Sequence, residues 1–343
     1  MADRAIDGLV VTNLTNVRWA IGFTGSYGVL VVTGESATLI TDSRYATQAP
    51  AQIEAGGVAV EVLVRTDLVA EGGSLLDGLA AIGLEADDIS WADQQRWAAV
   101  TAGSLVATEA LITGLRSVKD EAELARMQRA AEIVDETLVE LAPMLIEGTT
   151  ERELAAAIED GMRTRGASGP AYETIVAGGP NAALPHARPT DRPFEAGDLV
   201  VIDAGSTVDA YRSDMTRTFS IGEADDTAQT IHELVTRAQA AGVAAVRAGV
   251  QVGEIDRVCR SLITDEGYGP EFGHGTGHGV GLDIHELPSV RAGNTAILQP
   301  GQVITVEPGI YLPGVGGVRV EDMVVVTHDG CRALTRSPKI PLK

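Results

Sequence analysis

Residues 198–221 read DLVVIDAGSTVDAYRSDMTRTFSI. Leu199–Ile202 is a short apolar run rich in β-branched residues, the composition of a buried strand, and it closes on Asp203. A turn expected at Val208–Asp209 would bring the chain back antiparallel, pairing Thr207 with Ala210 and Asp203 with Asp214. Residues directly opposite on such strands share one face, with Cβ atoms roughly 4.5–5.5 Å apart. Two ionised carboxylates there repel, and one must stay protonated unless a cation lies between them. On a solvated sheet face the pairing is merely unfavourable, but the flanking residues are apolar.

The plan recurs downstream. Val303–Val306 leads into Glu307, and after a Gly/Pro-rich connection Glu321 opens a second apolar run, Met323–Val326. The two regions, 198–221 and 302–327, hint at an internal duplication that residue matching does not support. Between them lies FGHGTGHGVGLDIHE, residues 272–286, which holds three of the six histidines. Alternate glycines let backbone come close to a ligand. A flexible loop with incidental histidines is one alternative. A phosphate-binding glycine motif is another, but its strand–GxGxxG–helix context is missing. Asp203, Asp214, His278, Glu307 and Glu321 together form a hard, oxygen-rich set. It suits Mn2+, Co2+, Fe2+ or Zn2+ in a dinuclear site better than a thiolate-type structural zinc. In such sites two ions about 3.5–4 Å apart activate a water.

Composition bounds the rest. A chain of 343 residues is long for one core, so two domains are expected. A net charge of −22 argues against nucleic acid or anionic membrane as a partner. No apolar stretch approaches the 18 or so residues of a membrane span. Met1–Arg4 does not open a signal peptide. Cys259 and Cys331 make no disulfide framework, and reduced thiols in a cytoplasmic protein are the simple reading.

Along the first third, Gly28–Thr33, Ala37–Thr41 and Val58–Val64 read as strands, and Leu75–Ile82 and Gln94–Val106 as helices, giving a small α/β domain. Asp120 then opens a long amphipathic helix whose face is Leu124, Met127, Ala131, Val134, Leu138, Leu141 and Leu145, with Gly148 as its stop. Thr150 and Glu153 form a capping box for the next helix. Further helices are expected over 225–247 and 253–266. The domains expected are 1–117 and 118–343.

Four segments carry a family resemblance: VRWAIGFTGSYGVLVVTGESATLITDSRYATQA (17–49), PHARPTDRPFEAGDLVVIDAGSTVDAYRSDMTRTF (185–219), HGTGHGVGLDIHELP (274–288) and ITVEPGIYLPGVGGVRVEDMVVVT (304–327). The chain resembles the pita-bread metallopeptidases, the family of aminopeptidase P, prolidase and methionine aminopeptidase. The resemblance implies an α+β fold, with a C-terminal pita-bread (creatinase/aminopeptidase-like) catalytic domain behind a small creatinase-type α/β domain. It implies that Asp203 binds one metal, that His278 and Glu307 bind the second, and that Asp214 and Glu321 bridge the pair, with Mn2+ the first choice of ion. Glu307 would also move the proton of the attacking water. His186, His274 and His285 would act on the substrate, and Tyr311 and Arg319 would orient Asp203. Arg319 as a plain strand arginine, Tyr311 as packing and His186 as a loop histidine are the bland alternatives. His232 reads as a helix-surface histidine and His328 as a turn histidine.

The first domain disfavours a methionine aminopeptidase, and five ligands disfavour a creatinase. GFTGSYG and TDSRYATQA look more like bacterial Xaa-Pro aminopeptidases. The expectation is therefore a peptidase that removes the residue before a proline, with an Xaa-Pro dipeptidase (prolidase) as the alternative. A catalytically inactive pita-bread binding protein is the third reading. The resemblance also implies a homodimer.

Overall fold

A computed structural model describes residues 5–342, so the expectation for Met1–Arg4 lies outside the described residues. The chain divides into two compact units, one running to Arg116 and the other starting at Ser117.

The first unit carries β1 (Gly8–Val11), α1 (Leu14–Ile21), β2 (Val29–Thr33), β3 (Ala37–Thr41), α2 (Gln48–Gly56), β4 (Glu61–Val64), α3 (Leu68–Leu75), β5 (Ala81–Glu85), α4 (Trp91–Val100), β6 (Ser104–Thr108) and α5 (Leu111–Arg116). Its six strands form one mixed sheet in the order β4-β3-β2-β1-β5-β6. One face packs on Val17, Ile21 and Ile53, the other on Leu68, Leu76 and Trp97. Two expected helices are corrected. The stretch 75–82 straddles the end of α3 and the start of β5, and 94–106 straddles α4 and β6. β5 is flanked on both sides by parallel strands, so its apolar run lacks the alternation that marks a strand. The α4 start lies earlier than expected because the Ser90 side chain accepts from the Asp93 N–H and caps the helix there.

The second unit carries α6 (Glu121–Leu141), α7 (Glu151–Thr164), β7 (Gly169–Pro170), β8 (Ile175–Gly178), β9 (Leu199–Asp203), β10 (Ser206–Val208), β11 (Tyr211–Arg212), β12 (Thr216–Ser220), α8 (Asp226–Ala245) and α9 (Val252–Asp265). There follow β13 (Gly277–Gly279), β14 (Glu286–Val290), β15 (Val303–Val306), β16 (Gly309–Leu312), β17 (Gly316–Arg319), β18 (Asp322–Val326) and β19 (Cys331–Ala333). Capping boxes start both α6, from Asp120 and Glu123, and α7, from Thr150 and Glu153. The α6 face stops short of Leu145, because Pro143 sits in the 3-10 turn Ala142–Met144 and cannot continue the α-helix.

Two helix pairs each cover a sheet. Val134 and Leu138 of α6 and Leu154, Ile158 and Met162 of α7 pack on Val200 and Ile202 of the sheet β12-β9-β8. Ile231 and Val235 of α8 and Ile255, Cys259 and Ile263 of α9 pack on Ile304, Val306 and Val324 of the sheet β14-β13-β15-β18-β19. His232 lies on the buried face of α8, not on its surface, and burial lowers its pKa. Both cysteines are free. No helix among the described residues is long and apolar enough to cross a membrane.

Candidate active site

The hairpin that carries Asp203 and Asp214 turns one residue later than expected. Its turn residues are Asp209 and Ala210, at φ 48° and 69°, the left-handed pair that a two-residue hairpin loop uses. Val208 therefore pairs with Tyr211, and Asp203 with Thr216 rather than with Asp214. Moving the partner by two residues keeps side-chain parity, so both aspartates still face the same way. The Tyr172 hydroxyl lies 2.5 Å from Oδ1 of Asp203 and 2.6 Å from Oδ1 of Asp214. One hydroxyl carries one proton, so it donates to one carboxylate at a time.

The other sheet supplies the remaining acids and the imidazole. His278 sits in β13, and its neighbouring glycines answer a packing need. A Cβ on Gly277 would lie 2.2 Å from Thr305 O, and one on Gly279 2.2 Å from Leu287 O. The glycines thus serve strand packing, and the segment is neither a free loop nor a phosphate cradle. Glu307 follows β15, and its N–H donates to Thr276 O at 2.8 Å. Glu321 precedes β18, and its N–H donates to Thr216 O at 3.1 Å, which ties the second sheet to the first.

Ligand atoms of Asp214, His278 and Glu321 all lie within 4.8 Å of one another. His278 Nε2 is 3.5 Å from Asp214 Oδ2 and 3.4 Å from Glu307 Oε1. Asp203 and Glu307 line the same cleft. Burial, with the charge of Asp203 next in weight, pushes the Asp214 carboxyl up to about 7. Burial, then Asp214 and Glu307, raises Glu321 well above the carboxylate range. Burial opposes a charge on His278, but Glu307 and Asp214 outweigh it and raise its pKa. The site therefore holds acids that favour protons over bare ionisation. Glu321 Oε1 is buried with no hydrogen-bond partner among the described residues. An orphaned carboxylate oxygen beside an imidazole and two further acids fits a bound cation.

Behind the acids runs a polar chain. Arg319 Nη2 donates to Asp203 Oδ2 at 2.7 Å and Nη1 to the Tyr311 hydroxyl at 2.9 Å. That hydroxyl lies 3.0 Å from His274 Nε2, and His274 Nδ1 lies 2.8 Å from Gly275 O. Arg319 is buried, so the surface ion-pair alternative drops out. His274 faces the cleft, yet both ring nitrogens are already engaged within the chain. It thus lines the cleft together with His186 and His285 while its ring is also tied to Tyr311 and, through it, to Arg319. His186 and His285 are exposed within the cleft, His285 meeting His278 edge-on at 4.3 Å between ring centroids. Burial, then His278, lowers the His285 pKa.

Tyr172 and Thr216 belong to the site, and the sequence singled out neither, although Thr216 lies within the quoted segment 185–219. The one available cue is position: Tyr172 shortly precedes the apolar strand Ile175–Gly178, and Thr216 opens the strand that pairs with the Asp203 strand. The cleft, of about 580 Å³, is also lined by Ile175, Ile284, Arg188 and Arg291.

Comparison with known proteins identifies the family. Residues 125–328 match the description "Metallopeptidase family M24", and residues 1–118 match "Creatinase/Prolidase N-terminal domain". An uncharacterized peptidase of Bacillus subtilis is 38% identical over 97% of this chain and 95% of its own. An Xaa-Pro dipeptidase of Pyrococcus horikoshii is 35% identical over 99% of this chain and 95% of its own. The solved Xaa-Pro dipeptidase from Bacillus anthracis superposes with a TM-score of 0.95 at 35% identity, covering 99% of this chain and 96% of that one.

Proposed function

This chain belongs to metallopeptidase family M24, with a pita-bread catalytic domain behind a creatinase/prolidase-type N-terminal domain, and on that premise we propose that it is an Xaa-Pro dipeptidase. The observation that carries the metal chemistry is the meeting of Asp214, His278 and Glu321 around an unpartnered Glu321 Oε1. The specificity rests on the relatives from Pyrococcus horikoshii and Bacillus anthracis, both named as Xaa-Pro dipeptidases. The aminopeptidase reading placed first from the sequence is less well supported. GFTGSYG and TDSRYATQA, on which it leaned, belong to the first unit, whereas all five proposed metal ligands belong to the second. The inactive-binder reading falls away with membership of a peptidase family and all five ligand positions filled.

In this reading Asp203, Asp214, His278, Glu307 and Glu321 hold two divalent ions, Mn2+ first, with Co2+, Fe2+ and Zn2+ as alternatives. When bound, the ions supply an activated water and polarise the scissile carbonyl. Glu307, on the cleft wall beside His278, takes and returns a proton. His285 and His186 donate hydrogen bonds to the carbonyl oxygen as charge develops on it. Arg291 lines the cleft, and its guanidinium makes no ion pair or hydrogen bond among the described residues. A free guanidinium there suits the terminal carboxylate of a dipeptide. The homodimer and the cytoplasmic location belong to the same proposal.

The test is an assay of an Xaa-Pro dipeptide beside an Xaa-Pro-Yaa tripeptide after loading with Mn2+. The dipeptide alone should be cleaved, and Arg291→Ala should raise its KM. Equal cleavage of the tripeptide would return the aminopeptidase reading.

A further inference from the structure

One helical ion pair outside the cleft holds the backbone from which the site histidines project. Asp256 and Arg260 are one turn apart on α9. Their side chains meet through two hydrogen bonds, Nε to Oδ2 and Nη2 to Oδ1, both 2.9 Å. Most pairs at this spacing are surface ornaments worth little. This pair differs on three counts. Asp256 is 1% exposed. Arg260 also donates to two backbone carbonyls, Phe272 O at 2.8 Å and His274 O at 2.7 Å, and its guanidinium stacks 4.1 Å from the centre of the Phe272 ring. Asp256 Oδ1 also accepts from the buried Thr276 hydroxyl at 2.9 Å.

The consequences run in two directions. Thr276 O is the acceptor for the Glu307 N–H, so the segment that Asp256 grips is also the one that seats Glu307. His274, whose carbonyl Arg260 holds, turns its ring to Tyr311 and so toward Arg319 and Asp203. His278 lies two residues past Thr276. A planar fork with donors on several edges does this, and a lysine cannot copy it.

We propose that Asp256 and Arg260 are positioning residues for the metal centre, fixing the 272–276 backbone and through it His274, His278 and Glu307. The inference rests on reading the cleft as a dinuclear metal site. An open cavity of about 520 Å³ along the outer side of α9 reaches both residues, which gives the position a route for a small cation from solvent.

The experiment uses the full-length protein stripped of metal and titrated with Co2+, followed by its visible absorption, together with kcat and KM for an Xaa-Pro dipeptide. Arg260→Lys and Asp256→Asn are expected to weaken Co2+ binding at one of the two sites and to lower kcat, each about 10–100-fold, the usual effect of losing a partner behind a ligand. KM should move little, while the melting temperature of the metal-free protein falls with the loss of a buried contact. Arg260→Ala should recover kcat on addition of millimolar guanidinium chloride but not of ammonium chloride. Parental Co2+ affinity and kcat in folded Arg260→Lys and Asp256→Asn would overturn the proposal. So would a lowered melting temperature with unchanged Co2+ affinity in the folded protein. Should the Arg260 variants fail to fold, Thr276→Val removes one hydroxyl from Asp256 and leaves the ion pair intact. Weaker Co2+ binding in that variant supports the proposal, and unchanged binding defeats it. If the parent protein itself takes up no Co2+, the metal reading fails. If the parent takes up Co2+ and the variants match it, the positioning role fails alone.

Discussion

The hydroxyl of Thr216 donates to Oε2 of Glu321 at 2.7 Å, and both side chains are buried. The Thr216 hydroxyl oxygen accepts from Arg319 Nε at 3.0 Å, so it joins the guanidinium that grips Asp203 to a carboxylate borne on the other sheet. Thr216→Val keeps the shape and removes both bonds. Metal affinity or turnover is expected to fall about 10–100-fold while the fold survives. Calorimetric titration with Mn2+ checks it, and parental affinity would contradict the role.

Lys119 Nζ and Glu286 Oε2 are 2.9 Å apart, with side chains 1% and 5% exposed. Removing one member of so buried a pair strands the other's charge, at a cost of about 3–5 kcal/mol. Lys119→Met should therefore lower stability by that order, and Lys119→Met with Glu286→Leu by much less than the two single changes added. Urea unfolding of the four proteins decides the matter. Strict additivity would mean that the ions do not depend on each other.

Stability should depend on pH in a way that metal reverses. In the metal-free chain the Asp214 carboxyl is raised from 3.8 to about 7, and Glu321 moves the same way. A carboxyl whose folded pKa lies above its unfolded value stabilises fully below the unfolded value. That contribution disappears as pH rises through the folded value. The chelated protein is thus expected to lose melting temperature between about pH 4 and pH 7 from this source. Mn2+ binds the ionised acids, so the rise in melting temperature on adding it should be larger at about pH 8 than at about pH 5. A rise that is equal at the two values would count against the acids as ligands.

Asp214→Ala and His285→Ala should separate holding metal from acting on substrate. The first is expected to lose at least one ion and all activity. The second should keep both ions and lose about 10²–10³-fold in turnover, the scale of a lost donor to a developing oxyanion. Metal content by atomic emission, measured beside kcat, distinguishes them. Metal loss in His285→Ala would show that this residue is a ligand.

What could be read from the sequence was local. The capping boxes at Asp120 and Thr150 and the strand Ala37–Thr41 depend on neighbours within a few positions, and they stand where expected. The acids that close apolar runs were legible for the same reason. The hairpin register was not, because the left-handed turn falls on Asp209 and Ala210, and alanine gives no sign of that conformation. Tyr172 was invisible because a single aromatic residue has no period. The misplaced helix over 75–82 reflects a strand buried on both sides, which reads the same as a buried helix. Asp256 and Arg260 look from sequence like any helical ion pair. Only the fold reveals that two backbone carbonyls end on that guanidinium.

Asp203 ends β9 and Asp214 lies just before β12 of one helix-covered sheet, while His278 sits in β13 and Glu307 and Glu321 lie beside β15 and β18 of the other. Neither layer owns a full set of donors. Severed between β12 and α8, the catalytic unit would yield two fragments, neither of which carries all five of the proposed ligands. A reaction centre spread across a seam in this manner gives the chain a built-in proofreading of its own assembly, since chemistry begins only after both halves have docked correctly.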